Sequence, residues 1–130
     1  FSQQSQRYVD AEKGQWNLVV PPEIMRRGDA LAVINELDAA NREAYRKLRA
    51  MGIRKEDARY LLPNATETKI VVSGSFTGWR HFLWLRALDK AAQWEIRLVA
   101  QQILLALRGI SPLSFKREMD YLNEHRADLE

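Results

Sequence analysis

The chain has 130 residues, 46% of them hydrophobic and 28% charged, with a formal net charge of +3 and no cysteine. At this length one domain is the default, and the apolar content excludes a disordered chain. The missing cysteine excludes a disulfide framework, a cysteine-ligated zinc or iron–sulfur site and a thiolate nucleophile; cysteine pairing gives no compartment, although a reducing cytoplasm is consistent. No apolar run approaches the ~18 residues of a membrane span, and no basic-then-apolar leader opens the chain. The sequence starts at Phe1 rather than at Met, so it reads as part of a longer protein.

Ser and Gln dominate from Phe1 to Val9, which predicts an extended or loop segment. Asn17 to Val20 is a short apolar stretch stopped by Pro21-Pro22. From about Asp29 to Met51, Ile34, Leu37, Ala44 and Leu48 recur at helical spacing with Asn41 on the same stripe. Asp29 is the expected N-cap and Gly52 the expected C′ glycine. A second, short helix is predicted over about Lys55 to Leu62, ending at Pro63. The β-branched run Thr66 to Ser73 predicts a strand, and Ser73-Gly74-Ser75 breaks it. Helix returns over about Thr77 to Leu88, with Trp79, Phe82, Trp84 and Leu85. Another is predicted over about Ala91 to Arg108, apolar around much of its circumference and ended by Gly109; such a helix is buried in its own domain or against another subunit. Ser111-Pro112 fits an N-cap and N1 proline for a last helix carrying Phe115, Met119 and Leu122, with a fraying polar tail after Asn123. The sum is an α+β chain, mainly helical, with one or two strands of a sheet. The partners of the predicted strand are expected upstream or at Asn17 to Val20.

Charge is uneven. Asn41 to Arg59 holds seven basic residues against three acidic ones, a net of +4, whereas Lys116 to Glu130 holds three against five. A basic stretch invites a nucleic-acid reading, but no zinc-finger, RNA-recognition or helix-turn-helix signature accompanies it, and a solvated helix face accounts for it more simply. No carboxylate pair suggests acid–base work: Glu56 and Asp57 are adjacent and point to different sides of a helix. His81 and His125 lack metal-ligand spacing, so no metal is expected, and His81 reads as a packed helix residue. The Ser73-Gly74-Ser75 turn can present N–H groups to an anion, yet it lacks the spaced glycines and lysine of a P-loop. Arg7, Arg59 and Arg86 suit bidentate phosphate binding.

Three stretches, in order, resemble flavin-dependent thymidylate synthases. Phe1-Ser2-Gln3-Gln4-Ser5-Gln6-Arg7-Tyr8 is similar to the end of that family's signature, in which Arg-His-Arg, seven residues and Ser are followed by Arg-Tyr. Ala58-Arg59-Tyr60-Leu61-Leu62-Pro63 through Thr68 resembles its Ala-Arg…Leu-Pro…Thr segment. Trp79-Arg80-His81-Phe82, Arg86 and Gln93-Trp94-Glu95-Ile96-Arg97 resemble its C-terminal helix pair.

The resemblance implies reductive methylation of dUMP to dTMP in the cytoplasm. Methylenetetrahydrofolate gives the carbon, FAD carries the hydride and NADPH or NADH re-reduces the flavin. It implies a homotetramer, with no nucleic-acid or membrane partner. Thymidylate synthases outside this family use a cysteine nucleophile; this family does not, in keeping with the missing cysteine. Gln3, Gln4, Ser5, Gln6 and Arg7 match the dUMP-binding segment, and Arg59 matches a second nucleotide-binding arginine. Arg86 matches the arginine implicated in ionising uracil N3 and is the expected catalytic residue. Gln3, Ser75, Phe76, Thr77 and His81 match flavin-contacting positions. The sequence departs from the family at Ser75 and Thr77, where Asn and Arg are usual. Its Ala87 to Ala91 loop is one residue longer and lacks the common His. It also carries no Arg-His-Arg. The chain is therefore expected to be the C-terminal part of such a subunit, inactive alone. The alternative is a non-catalytic nucleotide-binding or assembly remnant.

Overall fold

A computed structural model describes residues 1–4 and 17–129. Ser5, Gln6 and Arg7 of the expected nucleotide segment lie outside the described residues. The chain divides into two compact units, Phe1–Val72 and Ser73–Glu130.

In the first unit, Pro21-Pro22 does more than stop the preceding apolar stretch. Pro22 opens helix α1 (Pro22–Arg26), where a fixed φ and a missing N–H cost nothing. Helix α2 (Gly28–Ala50) follows at once. Its N-cap is Arg27, not Asp29: Leu31 N–H already bonds Arg27 O, so Asp29 sits inside the first turn. There its carboxylate meets the Arg27 guanidinium at 3.3 Å and favours the helix dipole. Arg27 first, and the Ala30 N–H second, hold the Asp29 carboxyl below its ordinary value. The small stabilisation this gives is present above the ordinary carboxylate range and is lost as pH falls through the lowered value.

The far end of α2 closes as its sequence implies. Gly52 takes φ +84°, Gly52 N–H bonds Arg49 O and Ile53 N–H bonds Leu48 O. This is the paired-bond glycine cap that satisfies the last carbonyls of a helix. The buried face of α2 is rotated from the expected stripe. Tyr45 is 2% exposed while Leu37 is 55% exposed, because the helix packs toward Ala58 rather than centring on Leu37. Ala58 lies in α3 (Lys55–Ala58), which tightens into a 3-10 turn at Arg59–Leu61 before Pro63. Leu18, Leu48, Leu61 and Leu62 complete this small core.

The predicted strand is real but short. Ile70–Val71 (β2) pairs antiparallel with Ser2–Gln3 (β1), Ser2 opposite Val71 and Gln3 opposite Ile70. Nearer its start the same run pairs with the Asn17 to Val20 stretch, through a Leu18–Thr66 bridge and a Val19 N–H to Ala65 O bond of 2.8 Å. The Asn17 to Val20 partner is thus present as an isolated bridge, the Ser2–Gln3 partner comes from a segment read as extended or loop, the sheet has two strands among the described residues, and α+β describes the chain.

The second unit is helical. Ser75 caps α4 (Phe76–Arg86), and Gln93 caps α5 (Trp94–Ile110), its side-chain oxygen accepting from Glu95 N–H and Ile96 N–H. Gly109 does not end α5. The helix runs through it to Ile110 and stops because Pro112 has no N–H to continue. Ser111 is therefore the C-cap of α5 rather than an N-cap. Residues 112–115 form a turn, and the next helix, α6 (Lys116–Glu124), starts after Phe115. A short α7 (Arg126–Leu129) follows, where a frayed tail was expected. Leu83 of α4, Leu104 of α5 and Phe115 are fully buried together, with Ala100 and Leu122 closing the core. Leu98 and Leu105 on the opposite side of α5 stay exposed, as do Val99 and Ile110 on its flank. No helix among the described residues is long and apolar enough to cross a membrane.

Two substitutions check this packing in urea unfolding. Leu104→Ala removes a fully buried side chain and is expected to cost about 3 kcal/mol, read by tryptophan fluorescence. Gly52→Ala forces a β-carbon into the left-handed region and is expected to cost about 1 kcal/mol, read by circular dichroism.

Candidate functional site

The expected site residues fall on both units. In the first, Gln3 and Gln4 hang from the β1 edge. Gln4 N–H bonds Lys69 O at 2.8 Å, and Gln3 Nε2 reaches Thr68 Oγ1 at 3.5 Å. Both side chains are exposed.

Arg59 opens the 3-10 turn and is half-buried. Its Nε donates to Glu56 O at 2.9 Å, and its guanidinium carbon lies 5.7 Å from the centre of the Tyr60 ring. These contacts use the inner nitrogen and one face of the guanidinium. Neither contact uses the two outer nitrogens, the pair that bidentate anion binding employs.

The basic run around Arg59 is less cationic than its composition. Arg42 pairs with Asp38 at 2.7 Å, Arg46 and Lys47 with Glu43, and Arg54 with Glu56 at 2.8 Å. Arg49 donates to Ile53 O. Four of the basic residues of the stretch are thus ion-paired, whereas the Arg59 contacts are to a carbonyl and an aromatic ring.

In the second unit, Ser75, Phe76, Thr77, His81 and Arg86 all belong to α4 or its cap. Ser75 Oγ accepts Gly78 N–H at 3.1 Å, so that hydroxyl is committed to the cap. The first helical N–H to reach a backbone acceptor is that of Trp79, on Ser75 O. The N–H groups of Phe76 and Thr77 therefore open outward at the positive end of the helix dipole. Thr77 and His81, four residues apart, share one exposed face. Phe76 stays partly exposed and meets Phe115 edge-on, with ring centres 5.2 Å apart. Arg86 sits at the other end of α4, exposed, with Nη1 on Leu85 O at 3.3 Å.

A flavin nucleotide needs hydrogen-bond donors for its phosphates and ring carbonyls. The open N–H pair, the Thr77 hydroxyl and the His81 ring supply such donors, so the residues present fit that group. The longer loop after Arg86 is ordered by its own bonds: Asp89 Oδ1 accepts Ala91 N–H, Arg97 Nη2 donates to Ala92 O, and Gln101 Nε2 donates to Ala87 O. Among the described residues no group of three or more His, Asp or Glu side chains is placed to hold a metal ion.

One polar cluster escapes sequence reading. Glu118 of α6 is fully buried, and its Oε1 accepts both Arg80 Nε at 2.9 Å and Trp84 Nε1 at 3.0 Å. The legible signal was its spacing: Phe115, Glu118 and Leu122 follow three and four apart, which puts a carboxylate on the apolar stripe of the helix.

Ser75→Ala is expected to cost about 1 kcal/mol in chemical unfolding of the second unit, whereas Ser75→Asn, an equally good cap, leaves it within error.

A family model described as "Thymidylate synthase complementing protein" matches residues 1–113. The chain is 40% identical over 116 residues to the flavin-dependent thymidylate synthase of Geobacter sulfurreducens, covering 89% of this chain and 50% of that protein. It is 36% identical over 130 aligned positions to that of Mycobacterium tuberculosis, covering 88% and 51%. With that of Pyrococcus furiosus it shares 36% identity over 106 residues, covering 80% and 43%. The chain spans about half the length of the curated relatives it matches.

Proposed function

Because the chain belongs to the flavin-dependent thymidylate synthase family, we propose that it is the C-terminal part of a subunit that methylates dUMP to dTMP. Methylenetetrahydrofolate is the carbon donor, NADPH or NADH the reductant, FAD the flavin and the cytoplasm the place. The observation that carries this reading is a family match that runs through both units and spans the positions of Arg59 and Arg86.

Arg59, with the Gln3 to Arg7 segment, binds the nucleotide; its phosphate answers to the paired donors of a guanidinium. Arg86 stabilises negative charge on the uracil ring, which makes C5 more nucleophilic toward the incoming carbon. Thr77, His81 and the α4 N-terminus hold FAD, assisted by Gln3. The flavin, when bound, supplies hydride transfer. The exposed apolar faces of α2 and α5, which carry Val33 and Leu37 on one and Leu98 and Leu105 on the other, support assembly into a homotetramer.

Isothermal titration of the 130-residue chain with dUMP tests the nucleotide site. Arg59→Ala and Arg86→Ala are each expected to weaken binding about ten- to a hundredfold; unchanged affinity in both variants contradicts it. Incubation with dUMP, FAD, methylenetetrahydrofolate and NADPH is expected to give no dTMP, because the chain carries no Arg-His-Arg. Yellow, flavin-bound protein supports the enzyme reading. Colourless protein that still binds dUMP favours a non-catalytic nucleotide-binding remnant.

A further inference from the structure

Helix α4 rests on α6 and the turn before it through three contacts in register. Phe76 meets Phe115 edge-on at 5.2 Å, Arg80 meets Glu118 at 2.9 Å, and Trp84 meets Tyr121 edge-on at 5.1 Å. Residues 76, 80 and 84 form one stripe of α4, and 115, 118 and 121 advance in the same direction. The outer two contacts are aromatic edges, which tolerate sliding and tilting. The middle one does not. A single carboxylate oxygen takes an indole N–H and a guanidinium N–H from two successive turns of α4, and both bonds hold at one rotation and one axial register. The other oxygen, Oε2, is buried with no hydrogen-bond partner, so the carboxylate has no second set of protein donors to move to.

The neighbouring stripe of α4, one residue further round, carries Thr77 and His81. Turning α4 by the angle of one residue would exchange these for Phe76 and Arg80.

We propose that Glu118 is the positioning residue of the candidate flavin end: by gripping Arg80 and Trp84 it sets the rotation of α4 that presents Thr77 and His81 outward. Glu118 lies beyond the last residue matched by the family model, so nothing in that match assigns it a role. The ligand half of this inference rests on the flavin reading above; the rotation half rests on geometry alone.

Backbone amide resonances and FAD affinity, measured on the folded chain well below its unfolding temperature, separate the two halves. Glu118→Ala is expected to shift the Thr77 and His81 amides and to weaken FAD binding about tenfold. Glu118→Gln keeps the Oε1 acceptor and is expected to restore both. A Glu118→Ala chain that is less heat-stable, with those amides and the affinity unmoved, overturns the proposal and leaves Glu118 a structural residue. Should Glu118→Ala fail to fold, Trp84→Phe decides. It keeps the ring against Tyr121 but deletes one donor, and unshifted Thr77 and His81 amides there overturn the proposal. Absence of FAD binding by the unsubstituted chain sinks the flavin reading and the ligand half with it, while the amide shifts still decide the rotation.

Discussion

The second unit depends on how a buried carboxylate is satisfied. Glu118 has no solvent exposure, and its held oxygen is served by two donors from a different helix. Removing one partner of a buried ion pair typically costs about 3–5 kcal/mol, a figure to be discounted here because Arg80 is 42% exposed. The apolar core of Leu83, Leu104 and Phe115 drives the helices together without dictating a rotation. The carboxylate supplies the direction that core packing lacks. Trp84 is further fixed by Arg117, whose guanidinium carbon lies 5.1 Å from the centre of its ring.

The first unit solves a different problem with little core. Tyr45 and Ala58 are its buried hydrophobic side chains among the described residues, and much of its order comes from backbone closure. The glycine cap at Gly52 turns the chain from α2 into α3, and the Pro63 turn leads into the strand that pairs with both the 17–20 and the 2–4 segments. That path sets Arg59 on a 3-10 turn, with its Nε tied to Glu56 O. The adjoining Arg42, Arg46 and Arg54 are paired with carboxylates along the helix surface, whereas Arg59 is held by a carbonyl and the Tyr60 ring.

Much of this was legible from the residues. Periodicity located α2, α4 and α5, and Gly52 was readable because only the left-handed region at a helix end calls for a glycine there. Arg59 and Arg86 were singled out through the neighbouring Leu-Pro and Trp-Glu motifs, and their role stands as a proposal. Boundaries failed where two local signals competed. Asp29 is a good cap that lost to a helix starting two residues earlier, capped at Arg27, and Gly109 is a helix breaker overridden by the packing of α5, which ends only where Pro112 makes continuation impossible. Tyr45 displaced Leu37 from the core because helical spacing defines a stripe but not the partner it faces. Glu118 was missed because an acidic residue on an apolar stripe has no evident role until its donors, more than thirty positions earlier in the chain, are placed beside it.

The central proposal is that Arg59 of the first unit and Arg86 of the second each answer to nucleotide. Nitrogen-15 NMR of the arginine Nε–H groups during titration with dUMP tests it most directly. The account predicts that the Arg59 and Arg86 Nε–H resonances each move on addition of dUMP, while those of Arg42, Arg46 and Arg54 stay still. Movement spread over the paired arginines of 42–54, with Arg59 and Arg86 unmoved, would contradict it.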